Sequence, residues 1–349
     1  MSNSCNPQLV LRGSAPHLEQ LGLLVNGKSP YLMLNLPFAC NYRCLKCCNQ
    51  TTRPLSRPIR NPLSMNEICA VLDEAGKFGF SVLVLAGEGE PLLDRSLHEI
   101  VEAAISNGLL PYIFTNGSML TPGNIRFLAK NRASLIINLD SLNASHYQRL
   151  SGGSASLRTV LDNISNCRAV YRNLQEGTAS GKVVSVAINT VVTKINVGEV
   201  DDLARFCADD IVFVCNRPTR IGLAEENWSM LFGMESDSSD SAEQVIDRYS
   251  QANGPLGTAS DGLWCSYMKH GVSVGFDGNF LACAYAIDTA GYYGFYSEGN
   301  LRTANELIMR SVNEFYLKAG HSRCVLRHPQ YQDWLFHLRA HLPQMQKGT

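Results

Sequence analysis

Six apolar runs rich in β-branched and aromatic residues recur through the first two thirds of the chain: Tyr31 to Leu36, Ser81 to Ala86, Pro111 to Thr115, Leu135 to Leu139, Val183 to Val192 and Ile211 to Val214. Between them, Asn66 to Phe78, Ser96 to Asn107, Asn124 to Lys130, Ser156 to Arg172 and Val197 to Ala208 repeat apolar residues at helical spacing. Strands alternating with helices predict parallel pairing, because a parallel connection needs a crossover of about a dozen residues or more. The runs are almost continuously apolar, as in a sheet covered on both faces, which fits a barrel or partial barrel as well as a doubly wound sheet.

The pattern changes after residue 232. Gly233 to Asn253 carries MESDSSDSAEQ, acidic and serine-rich, which reads as a solvated linker or a surface helix. Gly262 to Thr349 then holds a hairpin-like unit, VSVGFDGNFLACAY, with Asp277-Gly278 as a two-residue turn signal, followed by two helical segments. The expected organisation is an N-terminal extension (1–29), an α/β body (30–232), a linker (233–260) and a smaller C-terminal unit (261–349). A chain of 349 residues has material for one large core and a smaller one.

A net charge of −1 gives no summed field to attract nucleic acid or an anionic membrane. No run of about 18 apolar residues is present, and the start lacks a basic segment leading into an apolar one. The expectation is a soluble cytoplasmic protein. Twelve cysteines in a large chain without a leader point to metal binding or redox work rather than to disulfides.

Four of those cysteines fall within nine residues, in NLPFACNYRCLKCCNQ, directly after the first strand. Cys40, Cys44 and Cys47 are thereby placed at the C-terminal end of that strand, the edge where parallel α/β proteins assemble their sites. Three thiolates on one loop can ligate three irons of a cubane and leave the fourth open, whereas structural zinc wants a second cysteine pair that is missing nearby. One strand later comes Ala86-Gly87-Glu88-Gly89-Glu90-Pro91, where glycine permits close backbone approach and a carboxylate can accept from an ammonium group.

The C-x3-C-x2-C spacing resembles the radical SAM superfamily signature, and Gly89, Glu90 and Pro91 are similar to that family's G-G-E-P motif, with Glu88 where its first glycine usually stands. The resemblance implies a partial (βα)6 TIM-like barrel and a [4Fe–4S] cluster on Cys40, Cys44 and Cys47. Its open iron would chelate the amino and carboxylate groups of S-adenosylmethionine (SAM), and electron transfer would release a 5′-deoxyadenosyl radical. Asn116, Asn138, Asp140 and Asn189, at the ends of the next three strands, correspond to cofactor-binding positions in the family. Asp140 could equally bind substrate or cap the next helix. Two departures stand out: Lys46 replaces a residue that is commonly aromatic or apolar, and Cys48 leaves a C-x3-C-x3-C alternative open. Arg217 and Arg220 could hold a phosphate or carboxylate of a substrate.

Cys265, Cys283 and Cys324 resemble the cysteine layout of the twitch domain, the shortened SPASM extension, which implies a small C-terminal α+β domain with an auxiliary [4Fe–4S] cluster. His321 stands where that layout has its remaining cysteine and is one candidate ligand; the others are an iron left open to substrate, or loss of the cluster. Cys215, at the end of the sixth strand, could face the cavity as a hydrogen donor. Relatives of this type dehydrogenate or epimerise sugars and aminocyclitols, while others modify peptides. Peptide enzymes often carry a recognition domain of about 80–90 residues, and only 39 residues precede Cys40. The expectation is therefore a small polar substrate, with an electron donor such as flavodoxin or ferredoxin and no nucleic-acid or membrane partner. A non-catalytic iron–sulfur electron carrier is the rival from another class, disfavoured by the Glu90 strand exit.

Overall fold

The computed structural model describes residues 8–24, 30–37, 39–49, 60–153, 155–178, 181–232, 242, 244–249, 265–319, 324, 326 and 333–336. Strands β1 (Gln8–Leu11), β2 (Tyr31–Leu34), β3 (Val82–Leu85), β4 (Leu110–Thr115), β5 (Ser134–Asn138), β6 (Glu176–Thr178), β7 (Gly181–Val184), β8 (Val186–Val191), β9 (Val212–Asn216), β10 (Gly271–Val274) and β11 (Phe280–Leu281) form two sheets. The larger has the order β11-β10-β2-β3-β4-β5-β8-β9, with every pair parallel except β10–β11. Six of these strands, β2, β3, β4, β5, β8 and β9, are the six expected runs and make the mixed α/β body of a partial TIM-like barrel.

These six strands bury residues on both faces, which explains their unbroken apolar runs. Leu32, Leu34, Leu83, Leu85, Leu135, Ile137 and Ile188 pack outward against the helices. Tyr31, Met33, Val82, Val84, Tyr112 and Ala187 pack inside the barrel. The helices are α1 (Ala15–Gln20), α2 (Met65–Lys77), α3 (Leu97–Ser106), α4 (Pro122–Lys130), α5 (Ala144–Leu150), α6 (Leu157–Tyr171) and α7 (Val200–Cys207), followed by shorter turns and a long helix, Leu301–Ala319. Their starts are written locally: Ser64 and Glu67 form a capping box on α2, and Thr121, Asn143 and Ser156 cap α4, α5 and α6.

Three features depart from the expected layout. The run Val183 to Val192 is two strands, broken at Ser185: β7 pairs with β1 and β6 in a separate three-stranded sheet, and only β8 enters the barrel. The N-terminal stretch is built into the fold, since Leu11 and Leu18 join the barrel-interior core and the Arg12 side chain donates to Ser185 Oγ. The first strand of the C-terminal hairpin, β10, pairs with β2 and so extends the barrel sheet itself. Most of 233–260 lies outside the described residues, but 244–249 are helical and Ile246 is buried in the helix-side core. Among the described residues no helix is long and apolar enough to cross a membrane.

Candidate active site

The C-terminal ends of the barrel strands surround a cavity of about 310 Å3, within the range of small-molecule sites. Cys40, Cys44 and Cys47 line it from the loop after β2. That loop is stiffened by short-range bonds: the Cys47 N–H donates to Cys44 C=O at 3.0 Å, and Leu45 N–H to Leu150 C=O at 3.0 Å. Burial pushes the Cys44 thiol far up, with Lys46 as the opposing influence; burial also raises Cys40, although the Tyr42 N–H and the Asn116 side chain donate toward its sulfur. Three half-buried thiols on one loop, with N–H donors aimed at one of them, fit an iron–sulfur cluster, whose positive irons deprotonate coordinating thiols outright. Among the described residues no three His, Cys, Asp or Glu side chains converge on one point as a single ion requires. A cubane presents its irons at separate corners, so its thiols stand apart.

The strand exit after β3 is shaped to hold this loop. A side chain at Gly89 would place its Cβ 2.5 Å from the carbonyl oxygen of Ala39, and Glu90 N–H donates to that same oxygen at 2.7 Å. Gly87, at φ +101°, lies so close to Asn35 that a Cβ would sit 2.2 Å from its Oδ1. The Glu90 carboxylate is 4% exposed and accepts from Thr115 Oγ1 (2.6 Å), Asn116 N–H (2.7 Å) and Leu92 N–H (3.2 Å). Burial nevertheless pushes its pKa up to about 7. Glu90 thus joins the β3 and β4 exits and lines the cavity, with acceptor capacity remaining on Oε2. Pro91 starts a single tight turn, Pro91–Leu93, behind the lining.

Asn138 and Asn189 are register partners on β5 and β8, and with Asn216 on β9 they form a side-chain ladder. Asn189 Nδ2 donates to Asn138 Oδ1 (2.8 Å), and Asn216 Nδ2 to Asn189 Oδ1 (2.7 Å). All three line the cavity. Asn216 carries no motif in the sequence and lies two residues beyond the predicted sixth strand, which ends at Val214. Asp140 also lines the cavity, but it does not cap the next helix, a role taken by Asn143. Its Oδ1 accepts from Lys46 Nζ at 2.7 Å and from Val191 N–H at 2.9 Å, with both ion-pair side chains 8% exposed. Lys46 is therefore a buried cation beside the cysteine loop.

Cys265, Cys283 and Cys324 line the same cavity, from the unit whose strand β10 pairs with β2. Burial raises the Cys283 thiol, with Cys265 next in effect, and all three thiols act on the buried Tyr316 hydroxyl of the long C-terminal helix. His321 lies outside the described residues. Cys215 corrects the sequence expectation: it is 4% exposed in the helix-side core, and burial raises its thiol to about 12. The reason is alternation, because Asn216 takes the inward face and its neighbour must point the other way. Arg217 lines the cavity, whereas Arg220 stacks over the Trp228 ring at 5.3 Å.

Comparison with known proteins agrees with this architecture. Residues 34–207 match the radical SAM superfamily model, and the chain carries a radical SAM domain. That family implies a [4Fe–4S] cluster and SAM. The chain is 26% identical over 177 residues to a probable GTP 3′,8-cyclase of Methanosarcina mazei, covering 50% of this chain and 49% of that one. It is 30% identical over 186 residues to an S-adenosylmethionine-dependent nucleotide dehydratase of Lacinutrix mariniflava, covering 52% and 36%. It thus spans half or less of the length of these relatives. The structure of Streptococcus suis SuiB bound to S-adenosylmethionine superposes with a TM-score of 0.60 at 15% identity, over 88% of this chain and 75% of that one, a likeness of fold.

Proposed function

We propose that this protein is a radical SAM enzyme that takes a hydrogen atom from a small polar substrate and completes a two-electron dehydrogenation. The observation that carries the reading is that two separate cysteine sets, Cys40/Cys44/Cys47 and Cys265/Cys283/Cys324, face one cavity. Cys40, Cys44 and Cys47 would hold a [4Fe–4S] cluster, which would supply the electron for reductive cleavage of SAM. Around it, Glu90 offers its remaining acceptor to the SAM ammonium, and the Asn138–Asn189–Asn216 ladder offers amide groups to hydroxyls. Arg217 suits a phosphate or carboxylate.

The substrate would lose one hydrogen atom to the SAM-derived fragment, one proton to solvent and one electron to a cluster that Cys265, Cys283 and Cys324 would hold, while the electron consumed in cleaving SAM would come from the external donor. Epimerisation needs a hydrogen donor facing the substrate instead, and the outward-facing Cys215 supports oxidation over it. The names of the curated relatives, a GTP cyclase and a nucleotide dehydratase, support a small polar substrate over a peptide. The first electron would come from a flavodoxin- or ferredoxin-like donor. The test is anaerobic incubation of cluster-loaded protein with SAM, dithionite and a panel of aminocyclitols, amino sugars and nucleotides. The expected result is a product two hydrogens lighter, formed in step with 5′-deoxyadenosine. A product of unchanged mass with inverted configuration would overturn the dehydrogenation.

A further inference from the structure

Cys48 is not needed by the first cysteine set, yet its position is tightly held. On one side the Cys47 carbonyl accepts from Ala224 N–H at 3.0 Å. On the other, Asn49 is 2% exposed and its Nδ2 donates to the Gly87 carbonyl. With its backbone fixed at both neighbours, Cys48 presents its side chain to the cavity that Cys265, Cys283 and Cys324 also line. The electrostatic neighbourhoods divide the sulfurs in the same way. The thiols acting most strongly on Cys44 are Cys47 and Cys40, while those acting on Cys283 are Cys265, Cys324 and Cys48.

We propose that Cys48 is the fourth protein ligand of a [4Fe–4S] cluster held by Cys265, Cys283 and Cys324. This inference rests on the second cysteine set holding a cluster, as in the function proposed above. Four thiolates leave such a cluster no open iron, so it would exchange electrons and would not bind substrate directly. A cysteine run that sends one member to a neighbouring cluster is established chemistry in two-cluster ferredoxins. Here the consequence is specific: Cys47 and Cys48 would ligate different clusters, and one peptide unit would connect them. The loop would also be tied to the C-terminal unit, coupling first-cluster geometry to its presence.

The test uses anaerobically reconstituted full-length protein. A Cys40→Ala/Cys44→Ala/Cys47→Ala variant is expected to retain about four irons per chain. Adding Cys48→Ser should lower this to about three or fewer, with a [3Fe–4S] electron paramagnetic resonance signal, whereas adding His321→Ala should leave it unchanged. Circular dichroism establishes that the Cys48→Ser protein is folded, and Cys48→Ser in the otherwise native chain should keep the SAM-perturbed signal of the first cluster. Unchanged iron and spectrum on adding Cys48→Ser would overturn the assignment, as would loss on adding His321→Ala alone. Near-zero iron in the parent triple variant would instead refute the second cluster itself.

Discussion

Lys46 Nζ lies 2.7 Å from Asp140 Oδ1, a buried ion pair that joins the cysteine loop to the end of β5. Breaking one side of such a pair leaves an uncompensated charge and costs about 3–5 kcal/mol. Lys46→Met and Asp140→Asn should each destabilise the apoprotein by that order in denaturant unfolding. The double variant should lose clearly less than the sum, because neither charge is then stranded.

Glu90 gives a pH dependence whose sign is fixed by its raised pKa. The unfolded chain releases this proton near 4.5 and the folded one near 7, so native stability associated with Glu90 is fully present below the lower value and falls between the two. The span corresponds to about 3 kcal/mol. Unfolding of the apoprotein at pH 5 and pH 7.5 should show Glu90→Gln gaining on the native chain as pH rises. A difference independent of pH would contradict the burial argument.

Gly89 should accept no side chain. In Gly89→Ala the new Cβ would meet the Ala39 and Pro37 carbonyls, both backbone atoms, so the cysteine loop must shift. Iron incorporation at the first site should fall severalfold, while far-UV circular dichroism stays near native.

Glu74 on α2 is 7% exposed and accepts from Gly299 N–H (3.1 Å) and Leu301 N–H (2.8 Å), capping the long C-terminal helix. Glu74→Ala should cost about 1–3 kcal/mol, read as a lowered melting temperature. SAM binding should weaken less than stability, because the residue lies away from the cavity.

What could be read from the sequence were the local patterns. Cys40, Cys44 and Cys47 share one loop, and the six strands announce themselves because both of their faces are buried. Long-range relations were hidden. Nothing near Cys48 signals Cys283, and nothing in α2 signals that Glu74 will cap a helix starting at Leu301. Cys215 could not be given a face from the sequence, since the sixth strand runs on to Asn216 and alternation then turns Cys215 toward the helices. The run through Ser185 was split by pairing with β1, a partner from the N-terminal stretch.

We propose that the Cys40/Cys44/Cys47 loop and the Glu90 exit form a SAM-cleaving centre. It is tested most directly by quantifying 5′-deoxyadenosine from anaerobically reconstituted protein given SAM and dithionite, beside a Cys47→Ala control. The native chain should yield 5′-deoxyadenosine and the Cys47→Ala control almost none. No 5′-deoxyadenosine from the fully cluster-loaded native chain, with or without candidate substrates, would contradict it.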